Sequence, residues 1–246
     1  MASDVLSVGN KVEFKQILTP QDEEDGRKAN SYVSQVYDVA YDRKKGITVT
    51  CAMPSLGGRL VPLSLGQDYE AFFFTGRGLY KSRCTVKDRY REGNIYTMEI
   101  SLHDEPVKYQ RRQYYRLDKS LPVLYAGLSD NEYLKIIETR QFPDNLRSPD
   151  AYDKGNTVDI SGGGLRFIGR SKVESGRKML VIFDIDTGEK QIKFRLPASV
   201  IMSFEMPDRQ GFYEHRVEFE NISSEYREIL IKYIFEEERK LRKRTR

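Results

Sequence analysis

Cysteine and histidine are scarce, since the 246 residues include only two of each. Cys51 and Cys84 do not form a CxxC pair, so we expect neither a disulfide framework nor a zinc site, as in a protein of a reducing cytosol. His103 and His215 are too few for most histidine-based metal sites and catalytic triads. The nucleophile motif GxSxG, a P-loop lysine and the zinc motif HExxH are also absent. We therefore expect a protein that is not an enzyme and holds no metal or cofactor.

Long apolar runs are missing as well. The longest ones, AFFF and MLVIF, fall far short of the roughly 18 residues that a membrane span needs. The start, MASDVLSVGNKVEF, lacks a basic segment followed by an apolar run, so no signal peptide is expected. The net charge of +4 is too small to indicate nucleic-acid binding over the whole surface, and any anion site must be local. These features predict a cytoplasmic protein that is not embedded in a membrane.

The pattern that does recur is the β-strand. In the first hundred residues, KVEFKQIL alternates, and NSYVSQVYDVAYD and ITVTCAMP are rich in β-branched and aromatic residues. Helical periodicity is absent there, which favours a small barrel or sandwich. Further strands are predicted in TVDISGGGLRF, KMLVIFDI and FYEHRVEFENI, with a hairpin turn at DTGE (186–189). The fold class is therefore mainly β.

A polar stretch, HDEPVKYQ, separates two groups of strands and is interrupted by Pro106. We place a domain boundary there, which gives domains at residues 1–106 and 107–246. An ordinary hairpin loop is the alternative interpretation. Within the second domain, residues 129–156 form a less regular insertion whose middle fits either a short helix or another strand.

The end of the chain changes character. From Ser223 onward, apolar residues recur at helical spacing, at Tyr226, Ile229, Leu230, Tyr233 and Ile234. Ser223 or Ser224 can cap this helix at its start. Its last turns are basic. They form either a solvated tail or a contact for an acidic partner.

Three arginines, Arg111, Arg112 and Arg116, cluster around two tyrosines in QRRQYYR. A guanidinium offers five donors in a planar fork, which matches a phosphate or the O6/N7 edge of guanine. We expect Arg112 to lie in a loop and Arg116 on the sheet. Tyr114 and Tyr115 are predicted to be neighbours in a strand, facing opposite sides. A solvated charge cluster is the plainer interpretation of these arginines.

The second motif is DISGGG. Asp159 can accept hydrogen bonds from guanine N1–H and N2–H, and Ser161 adds a small hydroxyl. The glycines at 162–164 remove side chains, so that a flat ring or a phosphate can approach the backbone amides. A turn or bulge alone would also explain them. Taken with the arginines, the motif indicates a compact guanine nucleotide that carries phosphates.

These two motifs resemble the paired signature of PilZ domains, RxxxR followed by [D/N]xSxxG, over roughly residues 107–240. The resemblance implies a six-stranded barrel with a C-terminal helix that binds cyclic di-GMP (c-di-GMP). The site residues it implies are Arg111, Arg112, Arg116, Asp159, Ser161, Gly163 and Gly164. An arginine at 111 resembles the members that bind two interleaved c-di-GMP molecules.

The first hundred residues resemble the N-terminal β-barrel domain of YcgR-like flagellar brake proteins, and the domain order is similar to the Gram-positive MotI-type branch. This implies that ligand binding changes the domain orientation and that the protein inhibits the flagellar motor by engaging a stator or other motor protein. It also implies a cytoplasmic protein that is recruited to the flagellar basal body.

Two alternative functions remain open. One is a c-di-GMP receptor that controls exopolysaccharide or transcription, and the other is a barrel that binds single-stranded nucleic acid.

Overall fold

The computed structural model describes residues 5–42, 46–56, 58–142, 146 and 148–244. The chain divides into two compact units, Met1–Arg111 and Arg112–Arg246. The sequence places the boundary between residues 106 and 107, and the compact units divide between Arg111 and Arg112. Val107 and Lys108 pair with Lys81 and Tyr80, and these ladder hydrogen bonds keep the following residues with the first unit.

The first unit is a closed ring of antiparallel strands in the order β6-β1-β2-β3-β8-β7, which closes because β6 pairs with β7. Strand β9 extends β7 at its edge, β4 and β5 form a separate short pair, and α1 lies between β1 and β2. The bounds are β1 (Lys11–Gln16), α1 (Pro20–Glu24), β2 (Ser31–Asp42), β3 (Gly46–Ala52), β4 (Ser55–Leu56), β5 (Arg59–Leu60), β6 (Asp68–Thr75), β7 (Gly78–Glu92), β8 (Ile95–Leu102) and β9 (Val107–Lys108).

Alternate side chains of these strands fill the interior of the ring. Val12, Phe14 and Phe73 are fully buried, as the period-two alternation of their strands requires. Cys51 and Cys84 lie in the same core as free thiols. Burial raises the pKa of Cys84 to about 12 and raises that of Cys51 further, so both cysteines are unreactive apolar packing residues.

The second unit is a closed six-strand barrel with a C-terminal helix. Its ring runs β12-β11-β14-β15-β16-β13 and closes through the β12–β13 pairing, while short strand β10 pairs with the end of β12. The bounds are β10 (Arg116–Asp118), β11 (Pro122–Leu128), α2 (Asp130–Thr139), a 3₁₀ turn (Pro149–Ala151), β12 (Asp153–Ser161), β13 (Gly164–Gly169), β14 (Lys178–Asp186), β15 (Gln191–Met206), β16 (Arg209–Phe219) and α3 (Ser224–Arg244). The prediction of a mainly β fold with a second-domain barrel and terminal helix is confirmed.

Helix α3 packs on the barrel through Leu230, Tyr233 and Ile234, which belong to the same buried cluster as the barrel interior. The helix begins after Ser223, whose Oγ accepts a hydrogen bond from the backbone N–H of Tyr226 at 3.3 Å. The predicted spacing therefore identified the buried face of this helix. Tyr226 is an exception, because it is exposed and meets Phe194 edge-on at 5.5 Å.

The insertion at residues 129–156 contains helix α2, which settles the choice between a helix and a strand. Ser129 and Glu132 form a reciprocal capping box at its start. Ile136 packs with Leu128, Leu180 and Ile182 in a separate small core. Residues 143–145 and 147 of the insertion lie outside the described part of the chain.

Two general properties bear on function. In the described ranges, no helix combines the length and the apolarity that crossing a bilayer requires. The same ranges hold no group of three or more histidine, cysteine or acidic side chains that could bind a metal ion.

Candidate functional site

The barrel brings the two polar motifs together through the register of β10 and β12. Arg116 is the direct partner of Ser161, and Asp118 is the partner of Asp159. Directly opposed residues of an antiparallel pair have Cα atoms about 4.5–5.5 Å apart. Leu117 between them is buried in the barrel core, so Arg116 points outward with Asp118. The arginine motif and the aspartate motif therefore share one outer face of the barrel.

Residues 109–115 precede this strand without regular structure, and Arg112 lies there as an exposed side chain. The prediction that Tyr114 and Tyr115 belong to a strand is wrong, because β10 begins at Arg116. Helix α3 offers both tyrosines partners. The Tyr115 ring stacks on Phe235 at 6.1 Å, and the guanidinium of Arg227 lies 5.6 Å above the Tyr114 ring.

The hydroxyl of Tyr115 also donates a hydrogen bond to Oε2 of Glu238 over 2.6 Å. This hydrogen bond raises the pKa of Tyr115 and lowers that of Glu238. The segment between the two signature arginines is thus tied to the C-terminal helix.

Arg111 belongs to the first compact unit, whereas the other six predicted site residues belong to the second. Its guanidinium carbon lies 5.1 Å from the centre of the Phe74 ring, and Nη1 is 3.9 Å from Oε2 of Glu13. The Arg111 side chain is 49% exposed, and exposed ion pairs of this kind contribute little stability. The contacts of Arg111 with Glu13 and Phe74 are therefore weak enough for the guanidinium to leave them and bind another anion.

The glycine motif is a tight hairpin turn between β12 and β13. Ser161 donates a hydrogen bond from Oγ to the carbonyl oxygen of Gly164 at 3.0 Å. A Cβ atom at Gly164 would lie 2.1 Å from the carbonyl oxygen of Val217, so the strand packing excludes any side chain there. At Gly162 and Gly163 a Cβ would come within 2.8 and 3.0 Å of the Tyr114 ring. These glycines serve close approach, and none of them has a positive φ.

A cavity of about 200 Å³ opens beside this turn. Its walls are Gln113, Tyr114, Tyr115, Gly162, Ile231, Ile234 and Phe235. The walls are mostly apolar and aromatic, and the glycine turn forms one side. Such a surface suits a flat ring that also needs polar partners at its edge.

Asp159 is 6% exposed, and its Oδ2 accepts a hydrogen bond from Nε of Arg166 at 2.7 Å. Burial opposes the charge of Arg166, but the hydrogen bond to Asp159 and the attraction of the nearby carboxylates together outweigh it, so the pKa of Arg166 is raised. Neither sequence motif contains Arg166. The signal was present, because a two-residue turn at Gly162 and Gly163 places residues 159 and 166 opposite each other.

Comparison with known proteins places this arrangement in a family. The PilZ domain model matches residues 110–236, more than half of the chain, and the chain belongs to the PilZ family. A second model, described as flagellar protein YcgR, matches residues 7–102. The predicted resemblance to PilZ domains and to YcgR-like proteins is confirmed. A comparison with curated proteins finds no match.

One solved structure shares the fold, and two others have lower similarity. The inhibitor of motility MotI/DgrA of Bacillus subtilis superposes with a TM-score of 0.70 at 17% identity, covering 97% of this chain and 100% of that one. YcgR of Escherichia coli in complex with c-di-GMP gives a TM-score of 0.48 at 14% identity, over 96% and 87% of the two chains. The c-di-GMP-dependent transcription regulatory factor MrkH gives 0.43 at 10% identity, over 92% and 83%. The first of these likenesses extends over both compact units.

Proposed function

We propose that this protein is a c-di-GMP receptor whose site is formed by Arg111, Arg112, Arg116, Asp159, Ser161, Gly163 and Gly164. The observation that carries the proposal is the register of β10 and β12, which sets Arg116 opposite Ser161 on the outer face of the barrel. Membership of the PilZ family and the YcgR complex with c-di-GMP support the choice of ligand.

The role of each residue in ligand binding follows from its side-chain chemistry. Arg112 and Arg116 donate to phosphates or to the O6/N7 edge of guanine. Asp159 can only accept when ionised, so it suits the N1–H and N2–H donors of the same base. The glycine turn has no side chains, and the Tyr114 ring packs against Gly163; a ring or a phosphate would take its place at this backbone.

We further propose that two interleaved c-di-GMP molecules bind per chain. Two molecules bury more ring surface than one, but they also bring four phosphate charges together. Arg111 supplies additional fixed positive charge immediately before the signature pair. Its exposed contacts with Glu13 and Phe74 cost little to exchange.

The output that we infer is inhibition of the flagellar motor. The YcgR description of the first-domain match and the shared fold with an inhibitor of motility support it. The arginine segment is also the point at which the chain passes from one compact unit to the next. Ordering of that segment by ligand would change the orientation of the domains, and the altered surface would engage a stator or other motor protein in the cytoplasm at the basal body.

Equilibrium dialysis with labelled c-di-GMP tests the receptor claim against the nucleic-acid alternative. We expect retention of c-di-GMP that falls as salt rises, because phosphates meet several arginines. A linear RNA at the same concentration should not displace it. Displacement by RNA, or retention that is independent of salt, would contradict the proposed site.

Swimming assays test the output. Raising the protein and c-di-GMP together should slow swimming without reducing the number of flagella, and Arg116→Ala should abolish the effect. A fluorescent fusion should move to the basal body under the same conditions. Normal swimming would remove the motor claim, leave the receptor claim in place, and favour an exopolysaccharide or transcriptional output.

A further inference from the structure

A ladder of alternating charges crosses the outer face of the second barrel next to the proposed site. Asp159 on β12 is the cross-strand partner of Arg166 on β13, and Arg166 is the cross-strand partner of Arg216 on β16. Glu214 lies between the two arginines. Its carboxylate accepts from Nη1 of Arg166 at 3.5 Å and from Nε of Arg216 at 3.0 Å.

The two-residue turn at Gly162 and Gly163 sets the position of Asp159 in this ladder, and a β-bulge follows next to it in β12. The β12–β13 register pairs Thr157 with Phe167 and then Asp159 with Arg166, so Val158 is the extra residue. Phe167 faces the barrel core and Arg166 faces outward. Asp159 therefore lies on the outer face with Arg166, and the bulge borders it on the side away from the turn. Bulges are common beside binding sites.

The two side chains form a closely coupled pair. Asp159 is 6% exposed, and the Arg166 side chain is 29% exposed between two carboxylates. A nearly buried carboxylate without a charged partner is costly. Arg166 occupies one lone-pair site of Oδ2, whereas a carboxylate has about four such sites. Asp159 can therefore accept from Arg166 and from a ligand at the same time.

We propose that Arg166 is a positioning residue for base recognition, which holds the Asp159 carboxylate in a single orientation towards guanine N1–H and N2–H. This inference rests on the proposed c-di-GMP site. It adds to the two signature motifs a residue that neither motif contains, and it makes guanine selectivity depend on β13.

Arg166→Met keeps most of the aliphatic volume and removes the charge and the donors. We expect it to weaken c-di-GMP binding about tenfold, as expected when a charge-assisted hydrogen bond is lost at a buried carboxylate. Arg166→Lys should recover part of this loss, because an ammonium can reach one carboxylate but cannot donate to two at once.

Arg216→Met is the matched control, since Arg216 shares Glu214 but does not contact Asp159. It should bind within about twofold of the unmutated protein, a difference of at most ~0.4 kcal/mol.

A double-mutant cycle separates positioning from general support of the fold. If Arg166 acts through Asp159, then Asp159→Ala combined with Arg166→Met should bind no more weakly than the weaker single variant. Cyclic di-IMP lacks the N2 amino group, so its affinity relative to c-di-GMP measures base reading directly. Arg166→Met should reduce the preference for c-di-GMP over cyclic di-IMP.

Several results would overturn the inference. These are unchanged binding by Arg166→Met, losses that add in the double variant, or an intact preference for c-di-GMP over cyclic di-IMP. Equal losses of c-di-GMP affinity in Arg166→Met and Arg216→Met would show that any positive charge on this face supports binding, and they would also overturn the inference. If Arg166→Met does not fold, Arg166→Lys carries the same cycle. Absence of binding by the unmutated protein would instead remove the proposed function on which the inference rests.

Discussion

Arg116 of β10 lies directly opposite Ser161 of β12, although the insertion with helix α2 separates the two strands in sequence. The three-residue strand β10 depends on the buried Leu117 for its position. The pairing makes the two signature motifs one surface.

Arg116→Ala and Asp159→Ala should each weaken c-di-GMP binding at least tenfold. Each removes a charge-assisted contact, which is worth about 1.5–3 kcal/mol. Arg209→Ala serves as a control, because Arg209 begins β16 at the far end of the β15–β16 hairpin. Fluorescence titration measures the affinities, and circular dichroism checks that each variant folds. Unchanged affinity in both site variants would place the pocket elsewhere.

Gly164→Val should lower the stability of the second unit as well as abolish binding. A Cβ atom there would lie 2.1 Å from the backbone oxygen of Val217, which cannot move without disturbing β16. Gly127→Ala is the control, since its Cβ would meet only Val173 methyl groups at 3.8 Å. Thermal unfolding should show a clearly lower midpoint for Gly164→Val alone. Equal midpoints for the two variants would contradict the packing described here.

Arg111→Leu should reduce the number of bound c-di-GMP molecules from two towards one, with residual binding through Arg112, Arg116 and Asp159. The substitution removes the positive charge that offsets repulsion among four phosphates. Sedimentation equilibrium with saturating ligand, or native mass spectrometry, counts the bound molecules. A single molecule on the unmutated protein would make Arg111 a surface charge without a role in ligand number.

His215 should make the second unit less stable in acid. Burial lowers its pKa to about 4 in the folded protein, against about 6.5 in the unfolded chain. The unfolded state therefore binds the extra proton between these values, and stability is full above pH 6.5 and falls as the pH drops towards 4. The loss reaches about 3 kcal/mol at pH 4.

His215→Phe tests this pH dependence. In this variant the free energy of unfolding should depend less on pH between 6.5 and 4. Its value should be lower than that of the unmutated protein above pH 6.5, because the N–H of Val173 loses its acceptor. His103→Asn is the matched control and should leave the decline unchanged, since His103 is an exposed side chain of the first unit. The same decline in His215→Phe and in the unmutated protein would contradict this assignment.

Much of this architecture can be read from local pattern. Strand alternation predicted a mainly β fold, and the second-domain barrel followed from the family resemblance. The spacing of Leu230, Tyr233 and Ile234 predicted the face of α3 that is buried. Helix α2 was ambiguous, because it has only ten residues and buries only Ile136. Long-range packing accounts for the errors. Tyr114 and Tyr115 leave the strand pattern because α3 supplies partners that no local pattern reveals. Neither signature motif contains Arg166, so finding it required the register of the β12–β13 hairpin.

Titration calorimetry of c-di-GMP into the folded, unmutated protein tests the central claim most directly. The account predicts saturable heat with two molecules bound per chain, and an affinity that weakens as salt is added. No heat with c-di-GMP, from protein shown to be folded by circular dichroism, would contradict it.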